Sequence, residues 1–343
     1  MKKQKDIYVL GIESSCDETS VAVVKNGREV VSNVISSQID IHKIYGGVVP
    51  EIASRNHVKN IHSVLDESLK QAGMTMDNID AIAVTYGAGL LGALIVGVSF
   101  AKSLAYATGK PLFAVNHIEG HISANYIAHK NLEPPFLCLV VSGGHTALLK
   151  VEDYCTKKLV ASTHDDAVGE AFDKVARECG LPYPGGPSIQ SKAKEGKPTI
   201  KFINPAKVGF EGFSYSGLKT AVINYLHNLR QKNQEVNIAD VCASFQEEAI
   251  SQLVNKTIAY AKEKGEKKIV LAGGVSANLL LRERMQEKAK EIGAQVFFPP
   301  LNLCTDNAGM IASQGYYDLI SNKKPAGLNL SPKSVISLGE VAD

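Results

Sequence analysis

No C-x-x-C pair occurs in this chain, and that absence removes several classes of protein at once. The six cysteines (Cys16, Cys138, Cys155, Cys179, Cys242, Cys304) are scattered, which argues against a zinc ribbon and a disulfide framework and fits a reducing cytoplasm. Charge excess is lacking too. Basic side chains number 37 against 35 acidic ones, a formal net charge of +2, which rules out a uniformly basic coat. Any nucleic-acid surface must therefore be a local patch or come from a partner. No G-x-x-x-x-G-K-[ST] is present, which excludes a P-loop. No export signal is expected, because the apolar run after Lys2, Lys3 and Lys5 is stopped by Glu13. With 45% hydrophobic and 21% charged residues over 343 positions, disorder is excluded and a membrane protein is not favoured. The length suits two or three domain-sized units.

Residues 7–12, 20–25 and 28–35 are expected as strands, the last two joined at Asn26-Gly27, a type I′ hairpin signal. A helix is expected from Pro50 towards Gly73, then a strand at 81–85, a helix at 90–107, a strand at 112–115, and a helix bearing His117 and His121. The charge-free stretch 85–101 contains several glycines and comes after a strand, which favours a buried helix over a membrane span. Strands at 136–141, 146–151 and 158–162 repeat the three opening strands. The strand 268–272 and helix 277–292 match the strand 81–85 and its helix, and the strand 295–298 and a helix from about Asp306 to 320 match the strand 112–115 and the histidine helix. The chain is therefore expected to be duplicated, with extra helical material at about 181–264. The expected class is α/β: two similar lobes facing across a cleft, one of residues 1–133 with a helix of about 306–325 packing back on it, the other of residues 134–305. Ligands in such folds sit where strand ends face the cleft.

Gly87-Ala88-Gly89-Leu90-Leu91-Gly92 matches the dinucleotide fingerprint G-x-G-x-x-G, but the fingerprint needs an acid at the end of the next strand. Asn116 and His117 stand there, so the glycines are read as letting a helix approach the sheet. The better phosphate candidates are two hairpin turns at equivalent positions, Ser14-Ser15-Cys16-Asp17 and Ser142-Gly143-Gly144-His145, where backbone N–H groups can converge on an anion. Ordinary tight turns are the plainer reading of both. Gly273-Gly274-Val275-Ser276-Ala277-Asn278 adds a strand-loop-helix step against which a purine and ribose can lie, with Asn278 as a polar contact.

In Asn116-His117-Ile118-Glu119-Gly120-His121 the two histidines are four apart, so on a helix they lie about 40° apart and one turn along. That is metal-ligand spacing. In the H-E-x-x-H of zinc proteases the glutamate directly succeeds the first histidine; here Glu119 comes two residues after it, which turns the carboxylate towards the far side of the helix. For a third ligand, the duplication brings Asp306 of Cys304-Thr305-Asp306-Asn307 across the cleft mouth, although an Asp just before a helix is also a common N-cap. Two imidazoles and a carboxylate suit iron or zinc.

Taken together the residues resemble the tRNA threonylcarbamoyladenosine transferases of the TsaD type, whose archaeal and eukaryotic relatives belong to the KEOPS complex. The resemblance rests on Gly11-Ile12-Glu13-Ser14-Ser15-Cys16-Asp17-Glu18-Thr19, Gly47-Val48-Val49-Pro50-Glu51, the histidine motif, Ser142-Gly143-Gly144-His145-Thr146, Phe172-Asp173, Tyr183-Pro184-Gly185-Gly186-Pro187, Phe213-Ser214-Tyr215-Ser216-Gly217, the 273–278 loop and Thr305-Asp306-Asn307. It implies the duplicated actin/Hsp70/sugar-kinase-like fold and metal ligands His117, His121 and Asp306 holding iron or zinc. It also implies a threonylcarbamoyl-AMP site made by Val140, Val141, Ser142, Gly143, Gly144, Asp173, Gly186 and Asn278. Four residues after Gly186 many members carry an acid that contacts the nucleotide; here Gln190 stands, whose amide can still bond a hydroxyl. The implied reaction moves the threonylcarbamoyl group from its adenylate to the exocyclic amine of the adenosine 3′ to the anticodon in tRNAs reading A-starting codons, releasing AMP. Glu13 and His145 are the candidate proton acceptors. Implied partners are tRNA and, in bacteria, an inactive actin-like paralogue (TsaB type) and a small ATPase (TsaE type), all cytoplasmic. The rival readings are a metalloprotease, an actin-like ATPase or kinase, and a non-catalytic nucleotide-binding scaffold.

Overall fold

Turn chemistry and alternation set the first sheet. Strands β1 (Tyr8–Glu13), β2 (Glu18–Lys25) and β3 (Glu29–Ser37) pair antiparallel in sequence order. Asn26 and Gly27 take φ of 50° and 70°, the left-handed pair that a type I′ turn requires, so the expected hairpin forms where its signal lies. The computed structural model describes residues 5–202 and 212–336. Lys2, Lys3 and residues 203–211 of the expected insertion lie outside the described residues.

After the short helix α1 (Ile39–Lys43), α2 (Pro50–Ala72) opens with a proline in its first turn and closes on Gly73 at φ 63°. Strand β4 (Ala81–Gly87), helix α3 (Leu91–Thr108), strand β5 (Leu112–Asn116) and helix α4 (His117–Ala128) come next. The sheet order is β3-β2-β1-β4-β5, with β1, β4 and β5 parallel. Successive residues of these strands face opposite sides. Leu10, Ile12, Ile82 and Val84 pack with Ile61 and Leu65 of α2 and Val98 and Ala101 of α3. Val9, Ala81, Ala83 and Phe113 belong to the core on the other side.

Among the described residues α3 is the one helix long and apolar enough to cross a membrane. Its composition has a packing explanation. Ala93, Leu94, Gly97, Val98, Ala101 and Ala105 are buried, and a Cβ on Gly97 would stand 2.3 Å from Ser14 Oγ. The glycines of the false dinucleotide motif act likewise, since a Cβ on Gly89 would come within 2.6 Å of the Ser15 carbonyl oxygen.

The second sheet contains β6 (Phe136–Val141), β7 (Thr146–Val151) and β8 (Lys157–Ser162). Helices α5 (Val168–Glu178), α6 (Gly185–Ala193), α7 (Ser216–Gln231) and α8 (Ile238–Lys264) come after them. Strand β9 (Lys268–Ala272), a 3₁₀ turn (Gly274–Ala277), helix α9 (Leu279–Glu291) and strand β10 (Gln295–Phe297) complete it. Its order is β8-β7-β6-β9-β10, the order of the first sheet role for role. Helix α9 begins at Leu279, not 277, because Asn278 caps it by accepting the Leu281 N–H. The last helix, α10 (Ala308–Ile320), packs on α4 and on the first sheet.

The chain divides into a unit of residues 1–135, 151–158 and 299–343 and a unit of residues 136–150 and 159–298. Residues 151–158 and 299–305, expected in the second lobe, group with the first. For 151–158 the reason is visible in the contacts: the Tyr154 ring stacks on Tyr317 at 4.0 Å, and Lys157 Nζ donates to Gln314 Oε1 at 3.1 Å.

Candidate functional site

Three glycines decide where Asp306 falls. A Cβ on Gly11 of β1 would stand 2.2 Å from the Ala308 carbonyl oxygen, one on Gly120 of α4 2.6 Å from Ile311, and one on Gly315 of α10 2.4 Å from Ala83. Without side chains at these points α10 lies directly on the sheet and on α4. Ala308 N–H donates to Ser20 Oγ at 2.9 Å, and Asn307, not Asp306, caps the helix by accepting the Met310 N–H at 3.1 Å. Asp306 is thereby released from the N-cap role that the sequence left open. Its Oδ1 stands 3.2 Å from His121 Nε2 and 3.4 Å from His117 Nε2.

Helix α4 supplies both imidazoles from its first two turns, with ring centroids 4.6 Å apart. One ligand atom from each of His117, His121 and Asp306 lies within 4.8 Å of the others. Nδ1 of His121 is buried without a hydrogen-bond partner among the described residues, and its Nε2 meets the Asp306 carboxylate. A buried imidazole so placed costs stability unless something binds it. Two nitrogens and a carboxylate oxygen are the donors that first-row divalent ions take, so the residues fit a metal.

Behind the two histidines lies a carboxylate. Glu13 ends β1, Thr85 lies on β4 and His117 succeeds β5, three adjacent parallel strands that bring their C-terminal ends together. Glu13 Oε2 accepts from Thr85 Oγ1 at 2.6 Å and faces His117 Nδ1 at 3.2 Å, while Oε1 accepts the Ser15 N–H at 2.5 Å. Ser15 Oγ stands 3.1 Å from the same Nδ1. An ionised carboxylate only accepts, so Nδ1 donates to Glu13, and Nε2 is turned towards Asp306.

Electrostatics agree with this division. Burial pushes Asp306 up, but the charges and hydrogen bonds of His117 and His121 outweigh it and hold the carboxyl far below its ordinary range. Burial lowers His117, yet Asp306 and Glu13 together raise it well above the usual imidazole value. Burial also raises Glu13, and the charge and hydrogen bond of His117, with the bond from Ser15, bring it below the carboxylate norm. Farther along the same turn, burial and the neighbouring Asp306 and Asp17 push Glu18 up to about 10.

Glu119 sits away from His117, His121 and Asp306. Its carboxylate is buried 3.5 Å from Nζ of Lys157, whose ammonium also donates to the Tyr154 carbonyl at 2.9 Å. The carboxylate a zinc protease would turn to the metal is here one half of an interior ion pair.

The second unit carries the remaining candidates. A Cβ on Gly169 at the start of α5 would stand 2.5 Å from the Ser142 carbonyl oxygen, one on Gly273 2.4 Å from that of Val141, and one on Gly185 2.6 Å from Asp173 Cα. These contacts draw the end of β6, the starts of α5 and α6, and the loop after β9 together. Cβ atoms on Gly143, Gly144, Gly186 and Gly274 would meet nothing within 4 Å. Backbone N–H groups bordered by such open space are accessible to an anion. Val140 and Val141 are buried in the strand beneath, and His145 holds the turn, its N–H donating to Ser142 Oγ at 3.1 Å.

Several polar candidates are already engaged within the fold. Asp173 accepts the Gly185 N–H at 2.7 Å, Gln190 accepts the Leu279 N–H at 2.7 Å, and Asn278 donates to Gln246 at 3.0 Å while capping α9. They shape the hollow. The two hairpin turns read as equivalent are used differently, since Ser14 Oγ donates to the Ala93 carbonyl at 3.0 Å and Ser15 Oγ faces His117. Sequence reasoning gave no role to the side chains of Thr85 and Lys157, which act through contacts distant in the chain, nor to Asn307, whose cap on α10 is local and was signalled by an Asn just before the helix.

The family model TsaD, described as tRNA N6-adenosine threonylcarbamoyltransferase, matches residues 29–313. A protein of that name from Clostridium perfringens is 55% identical over 338 residues, covering 97% of this chain and 98% of the relative. One from Clostridium botulinum is 53% identical over 342 residues, covering 98% and 99%. Among solved structures, HypF of T. kodakarensis superposes with a TM-score of 0.63 at 16% identity, covering 93% of this chain and 48% of HypF. Component A of the Acidaminococcus fermentans (R)-2-hydroxyglutaryl-CoA dehydratase gives 0.53 at 15% identity, covering 92% and 99%. At such identities these two speak for the fold alone, which is the actin and sugar-kinase-like α/β fold.

Proposed function

The chain belongs to the TsaD family of tRNA N6-adenosine threonylcarbamoyltransferases, and from that premise we propose how its residues divide the reaction. It is a transferase that modifies tRNA. The donor is threonylcarbamoyl-AMP, and the acceptor is the exocyclic amine of the adenosine 3′ to the anticodon. The amine nitrogen attacks the carbamoyl carbon, the bond from that carbon to the phosphate oxygen breaks, AMP leaves, and the amine gives up a proton. A mixed anhydride already contains a good leaving group, so the protein's part is to position both reactants and stabilise the oxygen that becomes negative.

The glycine-lined hollow formed by Ser142, Gly143, Gly144 and Gly186 holds the adenylate, with Asp173, Gln190 and Asn278 fixing the segments around it. His117, His121 and Asp306 hold one ion, iron or zinc by donor type. Bound there, the ion supplies Lewis-acid polarisation of an acyl oxygen. Glu13 is a positioning residue: both its oxygens already accept hydrogen bonds, and it is fully buried. His145 is the remaining candidate proton acceptor. The working context is the cytoplasm, with tRNA and, for a bacterial chain, a TsaB-type paralogue and a TsaE-type ATPase as partners.

The observation that carries this reading is the convergence of two buried imidazoles and Asp306, with one ligand atom from each within 4.8 Å of the others. The test supplies purified protein with threonylcarbamoyl-AMP and unmodified tRNA, with and without the two helpers, and assays modified adenosine and AMP. Both products are expected; no modified adenosine under any combination would refute the assignment. A peptidase reading has no support from Glu119, which is committed to Lys157.

A further inference from the structure

A chain with a net charge of +2 that modifies tRNA must concentrate its phosphate contacts locally. Between 192 and 201 stand Lys192, Lys194, Lys197 and Lys201 against one acid, Glu195. Lys192 pairs with Glu195 at 2.7 Å. Lys194, Lys197 and Lys201 are exposed, and no ion pair engages them among the described residues.

The backbone that carries them is tied down. Lys197 N–H donates to Asp240 Oδ1 at 2.7 Å and Ile200 N–H to Ser244 Oγ at 3.0 Å. A Cβ on Gly196 would stand 2.2 Å from the Ala239 carbonyl carbon, so the stretch lies directly on α8. The one further acid at the stretch, Asp240, is occupied by that N–H and by Asn237 Nδ2 at 3.0 Å. With the backbone already tied, only the lysine side chains have to be ordered on meeting an anionic strand. By contrast, in the lysine run 262–268, Lys264 pairs with Glu263 at 2.8 Å and Lys267 donates to the Ile292 carbonyl at 3.2 Å, the pattern of a solvated helix end.

The row lies at one end of α6, whose other end is the Gly185-Gly186 edge of the glycine hollow. A nine-residue helix spans about 13 Å, the length of a few nucleotides. We propose that Lys194, Lys197 and Lys201 form a docking ridge for the sugar-phosphate backbone of the acceptor tRNA. The ridge rests on reading that hollow as the adenylate site, and it supplies affinity without sequence readout.

The test compares the full-length chain with a Lys194→Glu/Lys197→Glu/Lys201→Glu variant and with a control that reverses the exposed Lys59, Lys130 and Lys262. Fluorescence anisotropy of labelled unmodified tRNA is monitored over a KCl series, and AMP binding is measured on each protein. The ridge variant is expected to bind tRNA at least tenfold more weakly at low salt and to lower the slope of log K against log salt by about 2. The control should stay within twofold, and AMP binding should not change. Equal losses in ridge and control variants, or no binding by the wild-type chain, overturn the ridge. Loss of AMP binding in the wild type would count against the hollow instead.

Discussion

Glu13 Oε2 lies 3.2 Å from Nδ1 of His117, at the buried ends of two strands that are 104 positions apart in sequence. The carboxylate sets which imidazole nitrogen is presented to Asp306 and raises its basicity. Glu13→Gln keeps the shape and removes the charge. Metal affinity should fall about 10- to 100-fold with the fold retained, as measured by chelator competition and circular dichroism. Unchanged affinity would remove Glu13 from this role.

Loading the site should release protons. Burial lowers His117, but Asp306 and Glu13 raise it further, so the metal-free protein carries an imidazolium whose proton the ion must displace. Affinity should therefore fall as pH falls through the raised His117 value, while Asp306 stays ionised throughout. Calorimetry in two buffers of different ionisation enthalpy measures the release. For folding the sign is opposite: in metal-free protein the stabilisation from His117 is complete below its unfolded value and is lost as pH rises through the folded one.

Two glycines next to the same turn should respond in different ways. Gly143→Ala places its methyl in open space, so stability should change little while adenylate affinity falls. Gly169→Ala drives a methyl to 2.5 Å from the Ser142 carbonyl oxygen and should lower the denaturation midpoint before any effect on binding is counted. Chemical denaturation and AMP titration of each variant separate the two.

The interior ion pair gives a stability test. Lys157→Met removes the ammonium 3.5 Å from the buried Glu119 carboxylate, leaving only the charge of Lys323 beyond ion-pair distance, and should destabilise by up to about 3–5 kcal/mol. Adding Glu119→Gln should restore much of the loss, because removing both charges is far less costly than removing one. Urea unfolding of the single and double variants measures both effects.

What the sequence made legible was local or repeated. Asn26-Gly27 carries its own backbone preference, the His117/His121 spacing is a property of one helix, and Asp306 stood out because the second half repeats the first. Contacts made by folding were not legible. Taken alone, Asp306 read more readily as a cap than as a ligand until Asn307 was seen to take the cap. Glu13 could be read as a proton acceptor because nothing nearby in the chain announces Thr85 or His117. Helix α5 was not expected, although Val168, Ala171, Phe172 and Val175 form a helical apolar stripe that could have signalled it. That 151–158 belong with the first unit comes from contacts of Tyr154 and Lys157 with α10, which no local pattern contains.

The most direct test of the account is transfer as a function of ion bound. Metal-free protein, titrated anaerobically with iron or zinc and given threonylcarbamoyl-AMP and tRNA in single turnover, should yield modified adenosine in proportion to bound ion, saturating at about one per chain. Asp306→Ala should bind no ion and stay at the metal-free level. Full transfer by metal-free protein, or by Asp306→Ala, would contradict a metal centre at His117, His121 and Asp306.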